Sequence, residues 1–211
     1  LEDNFPEFRE KFHVVYNILS AQFLRKMAEA PADFGDRYSG SRVLSIARLS
    51  VQKGLDLALP AVASLREKGL EFRWYIIGVG PEEAALQEQA RSLGIEQDVC
   101  FLGEQANPYP FLRACDVYLQ PSRFEGKSIA VDEAMVLCKP ILLTDFSTAA
   151  DQVTSGENGL IVPMTPEGIA EGLEKLLTDG ELRQRFHDAL EAEDYTNENE
   201  IEKVYSLIGS E

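Results

Sequence analysis

Gln120-Pro-Ser-Arg-Phe-Glu125-Gly-Lys-Ser-Ile-Ala-Val-Asp-Glu133-Ala-Met135 is the stretch whose reading decides the fold. It follows a short apolar run, 117–119, and leads into an apolar segment, 128–137, long enough for a helix. A loop rich in Pro, Ser and Gly therefore joins a buried strand to a helix. The same succession recurs on both sides. Upstream, the pattern predicts strands 43–47, 72–77 and 99–102, helices 54–67 and 81–93, and a short helix ending near Arg113. Downstream it predicts strands 141–143 and 160–162 and helices 167–177 and 181–190. Continuous apolar strands separated by helices imply an α/β fold, a parallel sheet with helices on both faces.

The 211 residues, 45% of them apolar, suffice for one such domain with attachments. Residues 40–180 are expected to form it, with 1–39 a connecting segment and 181–211 C-terminal helices. Within the first segment, Val14-Val15-Tyr16 reads as a short strand and Ser20 as the cap of a helix reaching about Ala30. Between 197 and 208, Ile201, Val204, Tyr205 and Ile208 share one helical face opposite glutamates, a face that needs something to pack against. The start at Leu1-Glu2-Asp3, without Met, suggests a piece of a longer parent chain whose N-terminal partner lies outside it.

Acidic residues outnumber basic ones 36 to 20, and the net charge of −16 disfavours nucleic acid and anionic membrane surfaces as partners. An anionic small ligand remains open, because a few cations and backbone N–H groups can make one locally positive pocket. Cys100, Cys115 and Cys138 stand alone in apolar runs and read as buried thiols of a reducing compartment. No metal site is expected, and His13 and His187 read as surface or packing residues. With no apolar run of about 18 residues and no charged-then-apolar start, neither a membrane span nor a signal peptide is expected, and a cytoplasmic setting is.

In open α/β sheets ligands bind beyond the carboxyl ends of the strands. Three loops there carry chemistry. After the first strand, Arg48 and Lys53-Gly54 place two cations at a helix start, a corner suited to a diphosphate. Taken alone, the pair fits two solvated surface cations equally well. After the second strand, Gly78-Val79-Gly80-Pro81 lets backbone turn closely at the ligand edge, and an ordinary tight turn reads the same way. After Leu119, Glu125 faces the ligand edge and Glu133 lies a turn or two inside the helix. Gly126 permits close approach, and the N–H groups of Lys127, Ser128 and Ile129 are candidates for phosphate oxygens. Two glutamates at a helix start also fit dipole compensation alone, the reading given to Asp132.

The ordered set Arg48-Leu-x-x-x-Lys53-Gly, Ile77-Gly-Val-Gly-Pro, Phe101-Leu-Gly, Ala114-Cys-Asp-Val-Tyr-Leu-Gln-Pro-Ser, the Glu125/Glu133 pair and Glu157-Asn-Gly-Leu-Ile-Val-Pro resembles the C-terminal domain of glycosyltransferase family 4. The resemblance covers roughly residues 40–180. It implies a GT-B fold, in which two Rossmann-like domains face a cleft and the C-terminal one holds a nucleoside diphosphate sugar without an obligatory metal ion. By the same resemblance, the positions of Arg48 and Lys53 bind the donor diphosphate, that of Glu125 touches the sugar and that of Glu133 the ribose. Gln105, after Phe101-Leu-Gly103, then lies beside the base. Many relatives read Glu-Gly-Phe-Gly where this chain has Glu125-Gly126-Lys127-Ser128, a departure that adds a cation and a hydroxyl near the donor. The longer string through Cys138-Lys-Pro looks like the subset found among bacterial surface-polysaccharide glycosyltransferases.

The expected function is donor binding in a retaining glycosyltransferase, which moves a sugar from a nucleoside diphosphate to a hydroxyl acceptor in polysaccharide or glycoconjugate synthesis. Arg48, Lys53 and Glu125 are the expected catalytic residues. The acceptor, and any membrane contact, belong to the parent enzyme, so the chain alone is expected to transfer little. Two rivals stand beside this reading: a GT-B-like nucleotide-sugar epimerase and a non-catalytic nucleotide-binding module. A dehydrogenase is disfavoured by the missing third glycine of the dinucleotide turn.

Overall fold

A computed structural model describes residues 5–13, 15, 18–197 and 200–209. The chain forms two compact units, one of residues up to Ser20 together with those from Thr196 onward, the other Ala21–Tyr195. The larger unit runs α1 (Ala21–Met27), β1 (Ser41–Ile46), α2 (Leu55–Glu67), β2 (Phe72–Ile77), α3 (Glu83–Ser92), β3 (Val99–Gly103), α4 (Tyr109–Ala114), β4 (Val117–Gln120), α5 (Ile129–Val136), β5 (Ile141–Thr144), β6 (Leu160–Val162), α6 (Pro166–Thr178) and α7 (Gly180–Glu191). The smaller unit holds a 3-10 turn, Pro6–Lys11, and α8 (Glu200–Ile208), and within it Asn197 Oδ1 accepts the Leu19 N–H at 2.7 Å. Among the described residues no helix is long and apolar enough to cross a membrane.

All strand pairs are parallel, in the order β3-β2-β1-β4-β5-β6. The sheet is therefore the expected helix-covered parallel one, wound outward in both directions from β1 and β4. Alternation along the strands feeds two cores. Val43, Trp74, Ile76, Val117, Leu119 and Leu142 face α2, α3 and α6, while Leu44, Tyr75, Ile77, Tyr118, Ile141 and Leu143 face α4 and α5. Burial on both faces explains why β4 and β5 are buried throughout and apolar up to their last residues, Gln120 and Thr144, rather than alternating.

Local chemistry sets the helix ends. Thr165 and Asp179 cap α6 and α7 by accepting the Gly168 and Leu182 N–H groups. Pro60 inside α2 cannot donate to the Asp56 carbonyl, and Gln89 Nε2 of α3 donates there instead at 3.0 Å. The first helix is shorter than its pattern predicts: α1 stops at Met27, and the Glu29 N–H turns to Lys26 O at 3.2 Å. Pro31 explains this, since the residue before a proline is pushed out of the helical region. Of the strand expected at Val14-Val15-Tyr16, Val14 and Tyr16 lie outside the described residues, and Val15 belongs to no element. Cys115 and Cys138 are buried as expected, but Cys100 on the edge strand β3 is only half-buried.

At the amino ends of β1 and β2, Asp36 gathers a polar cluster. Its Oδ2 accepts from Tyr75 OH at 2.6 Å and Arg73 Nη1 at 2.7 Å, and its Oδ1 accepts the Tyr38 N–H at 3.0 Å. The Arg42 guanidinium lies 4.8 Å from the Phe34 ring and beside Tyr38 and Tyr75. Burial raises the Asp36 carboxyl pKa, but the bonds from Tyr75, Tyr38 and Arg73 outweigh it and hold the group below its ordinary 3.8. Tyr75 is pushed up to about 12, by burial first and Asp36 second.

Asp36→Ala is expected to lower stability at neutral pH by about 1–3 kcal/mol, the cost of orphaning partly buried donors. A lowered folded pKa means that the carboxylate stabilises above its unfolded pKa and loses that contribution as pH falls through the folded value. Urea unfolding of both proteins should therefore give a difference that is full at pH 7 and shrinks toward pH 3; a difference independent of pH would remove the charge from the argument.

Candidate functional site

A cavity of about 630 Å³ opens at the carboxyl ends of β1 to β4. The loop after β1 supplies Ala47, Arg48 and Lys53, that after β2 Gly78 and Val79, and that after β3 Glu104, Gln105 and Pro108. The loop after β4 and the first residues of α5 supply Glu125, Lys127, Ser128, Ile129 and Ala130. Arg48, Lys53, Gly78, Gln105, Glu125, Lys127, Ser128 and Ile129, eight residues that the sequence points to, are thus brought together by the sheet order. Gly80, Gly126 and Glu133 do not line the cavity.

Two of the loops are locked to each other. Gly54 has φ 63° and lies so close to the β4 loop that a Cβ would stand 2.0 Å from Pro121 O, so only glycine fits. Arg123 grips Asp56 through two bonds of 2.7 Å and donates to Val51 O, while its own N–H donates to Gln52 O. The same pairing holds the Asp56 carboxyl below its ordinary pKa, against burial. The β2 loop is fitted in the same manner: a Cβ on Gly78, at φ 135°, would meet Ala47 O at 2.0 Å, and one on Gly80 would meet Leu49 O at 2.2 Å. From the sequence these glycines are expected to give room to a ligand. On the side a Cβ would occupy, the room is taken by the backbone of the β1 loop, while Gly78 still borders the cavity.

At the centre, Glu125 Oε1 accepts from Lys53 Nζ at 2.7 Å, Ser122 Oγ at 2.6 Å and Gln120 Nε2 at 2.9 Å. The Glu125 side chain is 7% exposed and that of Lys53 22%. Gln120 is itself held by Tyr118 OH at 2.9 Å and Ser128 Oγ at 2.9 Å. The expected sugar carboxylate and diphosphate lysine are therefore partners of each other. Each keeps spare capacity, because an ammonium has three donors and a carboxylate about four acceptor sites. Arg48 differs: it is exposed on the cavity, and no described residue pairs with its guanidinium.

At the α5 start, one group to which the sequence points is already used within the chain. The Ser128 N–H, expected to meet phosphate oxygens, is taken by Gln152 Oε1 at 2.9 Å, and the Ser128 hydroxyl is turned inward to Gln120. Ile129 and Ala130 line the cavity instead, in a first turn that has no acceptor within the helix. Gly126 is exposed, and a Cβ there would meet no atom of the chain within 4 Å. Lys127 Nζ pairs with Asp132 Oδ2 at 3.1 Å, which gives Asp132 a partner beyond the helix dipole.

Glu133 lies one turn into α5, where its Oε1 accepts from Tyr109 OH at 2.9 Å. Burial raises its pKa and Asp132 adds to this, while the Tyr109 bond opposes it; Tyr109 is pushed up to about 12 by burial and then by Glu133. Gln105 donates its amide to Leu102 O at 2.7 Å, which aims the loop after β3. Sequence reading misses Gln120, Ser122, Tyr109 and Gln152, which touch the candidate residues from within the fold. Only Ser122, three residues from Glu125, stands close enough in sequence to be suspected. Among the described residues one group has the composition of a metal site, His187, Asp188 and Glu191, with ligand atoms within 4.8 Å of one another, and none of the three lines this cavity.

The family described as "Glycosyl transferases group 1" matches residues 31–192. An alpha-D-kanosaminyltransferase of Streptomyces kanamyceticus is 28% identical over 84% of this chain and 48% of its own length. A putative colanic acid biosynthesis glycosyltransferase of Salmonella typhimurium is 32% identical over 71% of this chain and 38% of its own. Among solved structures, Anabaena HepE in complex with UDP and glucose superposes with a TM-score of 0.80, at 21% identity, over 96% of this chain and 58% of that one. At that identity the likeness concerns the fold. The chain spans about half the length of the relatives it matches.

The Lys53–Glu125 pair is open to a double-mutant cycle on folding stability. Lys53→Met and Glu125→Gln are each expected to cost about 1–3 kcal/mol, with a coupling of at least ~1 kcal/mol, because removing one partner leaves a nearly buried charge. Strictly additive losses in urea unfolding would show that the pair contributes nothing.

Proposed function

The chain belongs to the glycosyl transferases group 1 family, and from that premise we propose that it is the donor-binding part of a retaining glycosyltransferase of polysaccharide or glycoconjugate synthesis. One observation carries the reading: the Arg48 guanidinium, unpaired among the described residues, stands at the mouth of a cavity that also holds Lys53, Glu125 and the first turn of α5. Such a set suits a nucleoside diphosphate sugar. The guanidinium offers a planar fork, the ammonium two further protons, and the helix start N–H groups and a positive dipole end.

The mechanism follows from where charge develops. As the bond between the anomeric carbon and the diphosphate oxygen breaks, negative charge grows on the leaving diphosphate. Arg48 and Lys53 stabilise that charge more than the ground state, which lowers the barrier. Glu125, held by three donors, accepts from a sugar hydroxyl and balances positive charge developing at the ring. Glu133 with Tyr109 serves the ribose, and Gln105 lies beside the base. The two cations do what a metal ion would otherwise do, so no metal is required. The acceptor is held by a further part of the parent enzyme, and this chain alone transfers little. Support for the donor class comes from HepE, of the same fold, whose structure contains UDP and glucose. The polysaccharide setting is supported by the relative named for colanic acid biosynthesis. A cytoplasmic site of action is in line with three free cysteines.

Calorimetric titration of the 211-residue chain with uridine, guanosine and adenosine diphosphates, without and with Mg²⁺, tests this. One of them is expected to bind without metal, and Arg48→Ala to weaken it by about 1–3 kcal/mol, the worth of a charge-assisted contact. Unchanged affinity in the variant, or no binding of any diphosphate at millimolar concentration, overturns the reading.

A further inference from the structure

Gln152 follows β5 and lies far from Glu125 and Ser128 in sequence, yet its side chain ends inside the candidate site's supporting wall. It is 8% exposed, and all of its amide is used. Oε1 accepts the Ser128 N–H at 2.9 Å, while Nε2 donates to the Ser128 carbonyl at 2.9 Å and to Asp132 Oδ1 at 2.7 Å. The amide orientation is dictated by these partners, because flipping it would set a donor against an N–H and an acceptor against a carbonyl and a carboxylate. Ser128 is thus held by a side chain that pairs with both of its backbone groups, as a neighbouring strand would. Asp132, fixed by the same amide through one oxygen, holds Lys127 Nζ through the other.

We propose that Gln152 is a positioning residue for the donor diphosphate, which fixes the α5 start and Lys127 and withdraws the Ser128 N–H from the ligand, so that the Ile129 and Ala130 N–H groups meet the phosphate. The proposal rests on the donor-binding reading. Without the Gln152 amide, Ser128 would have a free N–H, and its carbonyl would keep only the helical bond from the Asp132 N–H at 3.2 Å, at a turn with exposed Gly126 on its other side. The turn could then rotate, and three features would shift together: the helix-start donors, Lys127, and Ser128 Oγ on Gln120. A rotated helix start misplaces the dipole end and its donors, which act only at short range.

The test uses Gln152→Glu, which keeps an acceptor for the Ser128 N–H but puts a carboxylate against the Ser128 carbonyl and Asp132, and Gln152→Met, which removes all polar contacts at similar length. Both are titrated with the best-binding nucleoside diphosphate, its monophosphate and inorganic pyrophosphate. About a tenfold loss for diphosphate and pyrophosphate is expected, with the monophosphate within about twofold, the scale of a misplaced charge-assisted contact. A residue that merely stabilises the fold would lower the melting temperature and leave this ratio unchanged, which overturns the proposal. If neither variant folds, amide hydrogen exchange on the unaltered chain decides. Ser128 must be protected before ligand is added and unchanged after it, while Ile129 and Ala130 gain protection only with the diphosphate. Rapid exchange at Ser128 in the free chain overturns the proposal. Arg48→Ala separates the two readings: if it weakens diphosphate binding and the Gln152 variants do not, positioning by Gln152 fails alone; if no probe binds, both fail.

Discussion

The junction between the β1 and β4 loops is the constraint on which the site depends. In this sheet order β1 and β4 are neighbours from which the chain winds in opposite directions, leaving a crevice between their carboxyl ends. Neighbouring loops there would ordinarily splay apart. Here the Gly54 backbone lies against Pro121 O, Arg123 forks onto Asp56, and Lys53 meets Glu125 across the gap. These three contacts use different forces: steric fit, a charge-assisted fork and a nearly buried ion pair. Together they turn two loops into one rigid rim.

Rigidity matters because the chain is strongly acidic. A net charge of −16 works against any anion approaching the surface at large. Attraction has to be local, within about a Debye length of ~8–10 Å, and has to come from groups that do not relax away. Arg48 supplies a charge that no described residue compensates, and α5 supplies oriented dipoles. Glu125 would repel a phosphate if it were mobile, but Lys53, Ser122 and Gln120 hold it on one side of the cavity. The neutral donors Ser122 and Gln120 add to that placement, since they bond the carboxylate without adding charge.

The glycines show how far motif reading reaches. Gly78 and Gly80 are positions where backbone comes close, and on the side a Cβ would take, the neighbour is the backbone of the β1 loop. A sequence shows that a position has no side chain and cannot show what fills the space. Ser128 is the converse case. Its place at a helix start is legible, while the loss of its N–H to Gln152 is not, because the two residues meet only after β5 has been laid beside β4. Cys138 is similar: it adopts φ 53° just after α5, a left-handed turn that glycine usually occupies. Neither its neighbours nor its type announces that strain.

What the sequence determined by itself was the succession of elements and the loops that bear chemistry. Apolar runs and helical spacing are local properties, and the carboxyl-end rule turns them into candidate residues without any knowledge of contacts. Arg48, Lys53, Glu125 and the start of α5 are found in this way, and Gln105 through the family resemblance, on loops of one crevice. The tertiary structure decided how these residues are occupied: that Lys53 and Glu125 neutralise each other, that Arg48 is left without a partner among the described residues, that Glu133 turns to Tyr109, and that two buried glutamines hold the wall behind them. Those facts depend on distances between residues far apart in the chain. Hydrogen bonds act over about 3 Å, and nothing in the order of residues fixes such a distance until the sheet is assembled.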